Sequence, residues 1–189
     1  MADLATFVKA VDFAARKHRF QRRKNEEASP YINHPIAVAN VLASEAAISD
    51  PVTLCAAVLH DTIEDTETTA AELEETFAAQ ITQIVLEVTD DKSLPKEVRK
   101  QLQIEHAPQL SPQAKTVKLA DKICNLRDTL TQTPVGWSLA RCREYFEWAK
   151  KVIDGVRGTN PALEAIFFQI YAQGIADFAE QVRRGDGNL

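Results

Sequence analysis

The sequence predicts an all-α protein, one helical bundle of about eight to ten helices spanning residues 1–189. Three observations carry this expectation. Almost every apolar run recurs at helical spacing, three and four residues apart. No alternating apolar–polar runs bounded by hairpin turns occur. A capping side chain stands directly before a helix-starting proline at Asp50-Pro51, Ser111-Pro112 and Asn160-Pro161. No repeat, low-complexity tract or shift of composition marks a second domain, and 189 residues can bury a substantial core.

Leu4, Phe7, Val8, Val11, Ala14 and Ala15 would line one face of a first helix ending near Arg19. The polar stretch "QRRKNEEASP" follows as a loop. Pro35 suits the first position of a second helix, "PIAVANVLASEAA", because its missing N–H is not needed there. Asp50-Pro51 opens a third helix. Its run "VTLCAAVLH" is apolar on nearly every side and continues into His60, Asp61, Glu64 and Asp65. Two short amphipathic segments fall near 69–79 and 81–90, and Pro95 opens another to about His106. Ser111-Pro112 starts a helix to about Leu130. Ser138 caps "LARCREYFEWAKKVIDGV", and Asn160-Pro161 starts the last helix, ending near Arg184.

Composition excludes several function classes. The formal net charge of −5 argues against nonspecific nucleic-acid binding, and no apolar run is long enough to span a membrane. The N-terminus carries no apolar signal segment, and Asp3 and Asp12 weigh against a mitochondrial transit peptide. Cys55, Cys124 and Cys142 lie far apart without a CxxC pair, so they read as buried thiols in a reducing, cytoplasmic setting rather than as a zinc site. The six glycines begin only at Gly136 and match no phosphate-loop or dinucleotide pattern. Any phosphate chemistry must therefore rest on metal and basic side chains.

The end of the apolar third helix is the chemical anomaly. At about 100° per residue, His60, Asp61, Glu64 and Asp65 span an arc of about 140° on a continuous helix, so all four face one pocket. Buried carboxylates need pairing or a metal, and a helix C-terminus disfavours added negative charge. A cation is expected there. Two further segments could complete its shell. "SPYINHP" offers His34. "KTVKLADKICNLRD" carries Lys118, Asp121, Asn125 and Asp128 as a polar stripe, which from spacing alone reads as solvent-facing.

His34, His60-Asp61 and Asp121 resemble the H…HD…D signature of the HD-domain metal-dependent phosphohydrolases. "RRK", "YINHP", "VLHDTIEDT", "EVTDDKSLPKEVRK" and "KLADKICNLRD" together are similar to the hydrolase domain of the RelA/SpoT alarmone enzymes. "GWSLARCREYFEWAKKV" and the compact length resemble the stand-alone animal branch, in which no synthetase or regulatory domain is expected. The resemblance covers almost the whole chain and implies a single HD-type hydrolase domain over 1–189. It implies that His34, His60, Asp61 and Asp121 bind one divalent metal, usually Mn²⁺. Nitrogen and oxygen ligands alone do not choose among Mn, Fe, Co and Zn. It further implies that Glu64 and Asp65 are the catalytic acids, orienting the attacking water and taking its proton.

For the substrate, the resemblance assigns the base to Arg23 and Lys24 and the nucleoside to Asn125. Tyr31 would pack beside the ribose or base, and Lys96, Arg141 and Tyr145 would meet the distal phosphates. The loop between Lys24 and Pro30 is two residues longer than the common bacterial pattern, which bears on the alignment of Arg22, Arg23 and Lys24. The implied activity is manganese-dependent removal of pyrophosphate from the 3′ position of ppGpp or pppGpp, a small-molecule nucleotide, giving GDP or GTP. One alternative is a phosphatase for another nucleotide, such as NADPH or a 3′-phosphorylated nucleotide. The other, of a different class, is a non-catalytic nucleotide-binding module. The sequence does not fix the oligomeric state.

Overall fold

The computed structural model describes residues 2–184, and among them every long element is α-helical, with one isolated β-bridge between Arg22 and Pro30. Helix α1 spans Leu4–Lys17, α2 Asn33–Asn40, α3 Pro51–Leu59, α4 Thr62–Asp65 and α5 Ala70–Phe77. Then come α6 Ala79–Val88, α7 Lys96–His106, α8 Pro112–Thr131, α9 Leu139–Asp154 and α10 Pro161–Arg184.

The expected caps set the helix starts. Asp50 accepts from the Val52 and Thr53 amides with Pro51 behind it, and Ser111 accepts from the Ala114 amide at 3.3 Å. Ser138 accepts from Arg141 N, and Asn160 from Leu163 N. Each takes up an amide that the first helical turn leaves without a partner.

Helix α8 is the axis, packed against α2, α3, α6, α9 and α10. It buries Val117, Leu119, Ala120, Ile123, Cys124 and Leu126, so it meets neighbours on most of its circumference. The "TLCAAVL" run of α3 is almost wholly inaccessible, as its continuous apolarity demands. These two buried helices and α2 bring three distant sequence segments to one point.

Four local expectations need correction. Helix α2 begins two residues before Pro35, whose absent N–H still falls among the free amides of the first turn. It does not run on to Ala47 as one α-helix. A π-turn at Val41–Glu45 loosens it, and Glu45 forms a bidentate pair with Arg127 of α8 at 2.6 and 2.8 Å. The buried face of α1 is Ala10, Phe13 and Ala14, continued by His18, while Leu4 and Val8 are exposed. Small alanines allow close approach to α3 on that side.

The third helix does not continue to Asp65. It stops at Leu59 because side chains take the carbonyls that the next turn would use: His60 Nδ1 donates to Ala57 O at 2.7 Å, and Thr62 Oγ1 to Leu59 O at 2.7 Å. The chain turns at His60-Asp61 and restarts as the single-turn α4.

Candidate active site

That turn faces His34 from α2 and Asp121 from α8. His34 Nε2 lies 3.2 Å from Asp121 Oδ1 and 3.9 Å from Asp61 Oδ2. His60 Nε2 lies 3.1 Å from Asp61 Oδ2 and 3.8 Å from Asp121 Oδ1. Ligand atoms of His34, His60 and Asp121 all fall within 4.8 Å of one another. The polar stripe of α8 therefore faces inward, correcting the solvent-facing reading; Lys118 is 6% exposed. Asp121 and Asn125 line a cavity of about 150 Å³ together with Tyr31, His60, Glu64 and Asp65.

The donor chemistry fits a divalent cation. Ala57 O can only accept, so His60 carries its proton on Nδ1 and turns the lone pair of Nε2 into the cluster. That buried Nε2 has no hydrogen-bond partner among the described residues. Burial opposes charge on His60, yet the Asp61 and Asp121 carboxylates outweigh it and raise the imidazole pKa. Burial likewise opposes charge on both aspartates. His60 beside Asp61, and Lys122 with the histidines beside Asp121, still hold them below the usual carboxylate range. The cluster thus favours positive charge, and His34, His60 and Asp121 place their ligand atoms so that they could hold a divalent cation.

Glu64 and Asp65 stand beside the cluster in different settings. Glu64 Oε2 accepts from the Asp90 amide at 3.1 Å, and its other oxygen lies 3.7 Å from both Lys92 and Arg99. Burial pushes its pKa up, and the nearby charge of Asp90 adds to this. Asp65 is paired with Lys92 and accepts from Gln21 Nε2 at 3.1 Å. Both carboxylates are held by donors from segments far away in sequence.

The basic loop divides. Arg16 pairs with Asp12 and Lys17 with Glu72, Arg19 stacks on Phe20, and Arg22 donates to backbone carbonyls. Lys24 keeps an exposed side chain, its carbonyl accepting from Val135 N. Arg23 alone turns inward. It pairs with Asp128, approaches Asn125 Oδ1 at 3.4 Å and lies 5.6 Å over the Tyr31 ring. The extra loop residues are pinned by Asn25, which donates to Gln132 Oε1 at 2.7 Å, and Ala28 takes a left-handed φ of 48°.

Tyr31 lines the cavity, and its hydroxyl donates to Asp61 Oδ2 at 2.6 Å, so it also supports the cluster directly. Tyr145 packs between Trp137 and Trp148, near Lys122. Lys96 and Arg141 are exposed and do not line the cavity, Arg141 stacking on Trp137. Sequence reasoning missed Lys92, Arg99 and Lys122. Lys122 pairs with Asp121 at 3.0 Å and lies over the Trp148 ring. Its position four residues after Lys118 on the same helix was the available signal. Lys92 and Arg99 stand within the quoted "EVTDDKSLPKEVRK" stretch, but their reach to Glu64 exists only through the fold.

The arrangement, three helices converging on an H…HD…D cluster with two further acids, defines an HD-type phosphohydrolase site. The chain belongs to the HD-domain family: the pattern described as HD domain matches residues 10–141. It is 57% identical over 172 residues to the human protein named guanosine-3′,5′-bis(diphosphate) 3′-pyrophosphohydrolase MESH1, covering 91% of this chain and 96% of that one. The mouse protein of the same name is 56% identical over the same length. A solved structure described as a metazoan ortholog of SpoT that hydrolyzes ppGpp superposes with a TM-score of 0.88. It is 48% identical, and the match covers 92% of this chain and 97% of that one. No helix among the described residues is long and apolar enough to cross a membrane.

Proposed function

We propose that this protein is a manganese-dependent hydrolase that removes pyrophosphate from the 3′ position of ppGpp or pppGpp, giving GDP or GTP, in the cytoplasm. The observation that carries the reading is one cavity lined by the histidine–aspartate cluster, by Glu64 and Asp65, and by Asn125, with Arg23 reaching Asn125 Oδ1 at 3.4 Å from beside it. The names of its relatives support the same activity.

His34, His60, Asp61 and Asp121 would hold the divalent ion. Bound there, it supplies Lewis-acid polarisation of a phosphoryl oxygen and acidifies water. Tyr31 keeps Asp61 aimed by its hydroxyl hydrogen bond. Glu64, its pKa raised by burial, is suited to receive a proton from the attacking water and to carry it toward the leaving group. Asp65 orients that water. Arg23 gives a planar, charged face on which a purine can stack, and Lys24 a donor for its edge. Asn125 meets the nucleoside beside them. Tyr145, packed near Lys122, would face the distal phosphates, whereas Lys96 and Arg141 stand outside the cavity and could meet them only at its outer side. The test is purified protein with Mn²⁺ and a panel of 3′-, 2′- and 5′-phosphorylated nucleotides, NADPH included, with products identified. Release of pyrophosphate and GDP from ppGpp at the highest kcat/KM supports the reading; preferential turnover of NADPH replaces it.

A further inference from the structure

His18 takes no part in the cluster, yet it is 2% exposed and lies directly behind it. Its Nδ1 is 2.6 Å from Gln21 Oε1, and Gln21 Nε2 is 3.1 Å from Asp65 Oδ2. The other face of the ring packs on Tyr31, centroids 4.9 Å apart, whose hydroxyl holds Asp61. The proton positions follow from the acceptors. An ionised carboxylate only accepts, so the Gln21 amide must turn its NH₂ toward Asp65. Its Oε1 then faces His18 and also only accepts, so His18 must carry its proton on Nδ1. The reversed amide would set two oxygens against each other at Asp65. His18 Nε2, left without a proton, is the nitrogen that has no partner among the described residues. Burial lowers the His18 pKa, which keeps the ring neutral.

We infer that His18 and Gln21 are positioning residues: the imidazole fixes the orientation of the Gln21 amide, and the amide fixes Asp65 for the reaction. The inference rests on the proposed role of Asp65. Lys92, the other partner of Asp65, is a flexible and half-exposed cation that neutralises charge without fixing direction. Asp65 selects the NH₂ end of the amide, and His18 anchors the far end, so that the donated hydrogen bond keeps one position.

Two substitutions separate position from packing. His18→Phe keeps the ring volume and loses the N–H. His18→Asn loses volume but can place an amide N–H where Nδ1 stood. We expect His18→Phe and Gln21→Leu to lower kcat about tenfold, the scale of one hydrogen bond expressed as a rate, with KM and bound metal unchanged. His18→Asn should recover most of that rate while having the lower Tm of the two His18 variants. Combined with Asp65→Asn, His18→Phe should cost nothing further, because both act through one carboxylate. Imidazole ¹⁵N spectra of the metal-free protein should show His18 protonated at Nδ1. Activity that follows Tm instead of the N–H, additive losses in the double variant, or an Nε2–H tautomer would overturn the inference. Those outcomes leave the proposed role of Asp65 standing, whereas an undamaged Asp65→Asn enzyme would remove that role and the inference together.

Discussion

Around His34, His60, Asp61 and Asp121 the histidines are buried, the aspartates are largely shielded, and all four come from helices or the turn locked onto α3. Around Arg23, Asn125 and Asp128 the walls are half-exposed and one of them is a loop. The reacting half turns surplus negative charge toward one point. The reading half is satisfied with itself, since Arg23 is paired with Asp128. On the proposed assignment, a nucleoside that hydrogen-bonds to these groups would replace contacts already made, so its binding energy would be a difference between two paired states. The reacting half would be balanced by a cation, for which His34, His60 and Asp121 already hold their ligand atoms within 4.8 Å of one another. Chemistry should therefore be sensitive to single groups, and recognition comparatively tolerant.

The largest break in that contrast is removal of the centre. Asp121→Ala, or a chelator on the wild type, should take activity to background, and Asp121→Ala should purify without its divalent ion. Metal analysis beside turnover checks this; full activity in metal-free protein would refute it. Next in size, Glu64→Gln and Asp65→Asn keep shape and remove a basic oxygen. Each should lower kcat by roughly 10²–10⁴ with metal content near wild type, read by steady-state kinetics and metal analysis on the same preparations.

The reading half should respond differently. Arg23→Ala should raise KM for ppGpp by about tenfold, the weight of a charged hydrogen bond reduced by its existing pair, and should change kcat less. Asn125 sharpens the comparison because it belongs to both halves. Its Nδ2 donates to Asp121 Oδ1 at 2.6 Å while its Oδ1 faces Arg23. Asn125→Ala should therefore raise KM and also weaken metal affinity, which Arg23→Ala should not. Kinetics at varied Mn²⁺ separates the two. If KM rises only on NADPH and stays fixed on ppGpp, the guanosine assignment fails.

The same contrast explains what could be read from the sequence. The helix starts were legible because the capping residue and the proline are neighbours in the chain, as at Ser111-Pro112. The cluster was legible because histidine and aspartate at the end of an apolar run are costly without a partner. The end of α3 was not, because Thr62 and His60 act through side-chain bonds to carbonyls that spacing alone does not reveal. The face of α1 was misjudged because it was centred on Leu4 and Val8 and left out Ala10 and Phe13, which pack inward with Ala14. His18, Gln21, Lys92 and Arg99 were invisible for a different reason. Their roles exist only where the fold brings Gln21, Lys92 and Arg99 to Glu64 and Asp65, His18 acting through Gln21.

The smallest expected effect is on stability, and its sign tests whether Glu64 is held for chemistry at a cost to the fold. Burial raises its pKa in the folded protein above the unfolded value. A group shifted that way favours the folded state while protonated, and loses that contribution as pH rises through the folded pKa. At neutral pH the ionised Glu64 is therefore a burden, which Glu64→Gln removes. In chelated protein, Glu64→Gln should melt above the wild type at pH 7. The gain should shrink as pH falls through the raised folded pKa, and vanish below the ordinary glutamate range, where the wild type is also neutral. In Glu64→Gln the side-chain carbonyl oxygen can still accept from the Asp90 amide, so the one hydrogen bond to the backbone survives the change. Thermal melts of both proteins across that pH range decide the matter. A variant less stable at pH 7, or a gain independent of pH, would mean that Lys92 and Arg99 more than compensate the buried charge, and that the raised pKa does not mark the proton-carrying group.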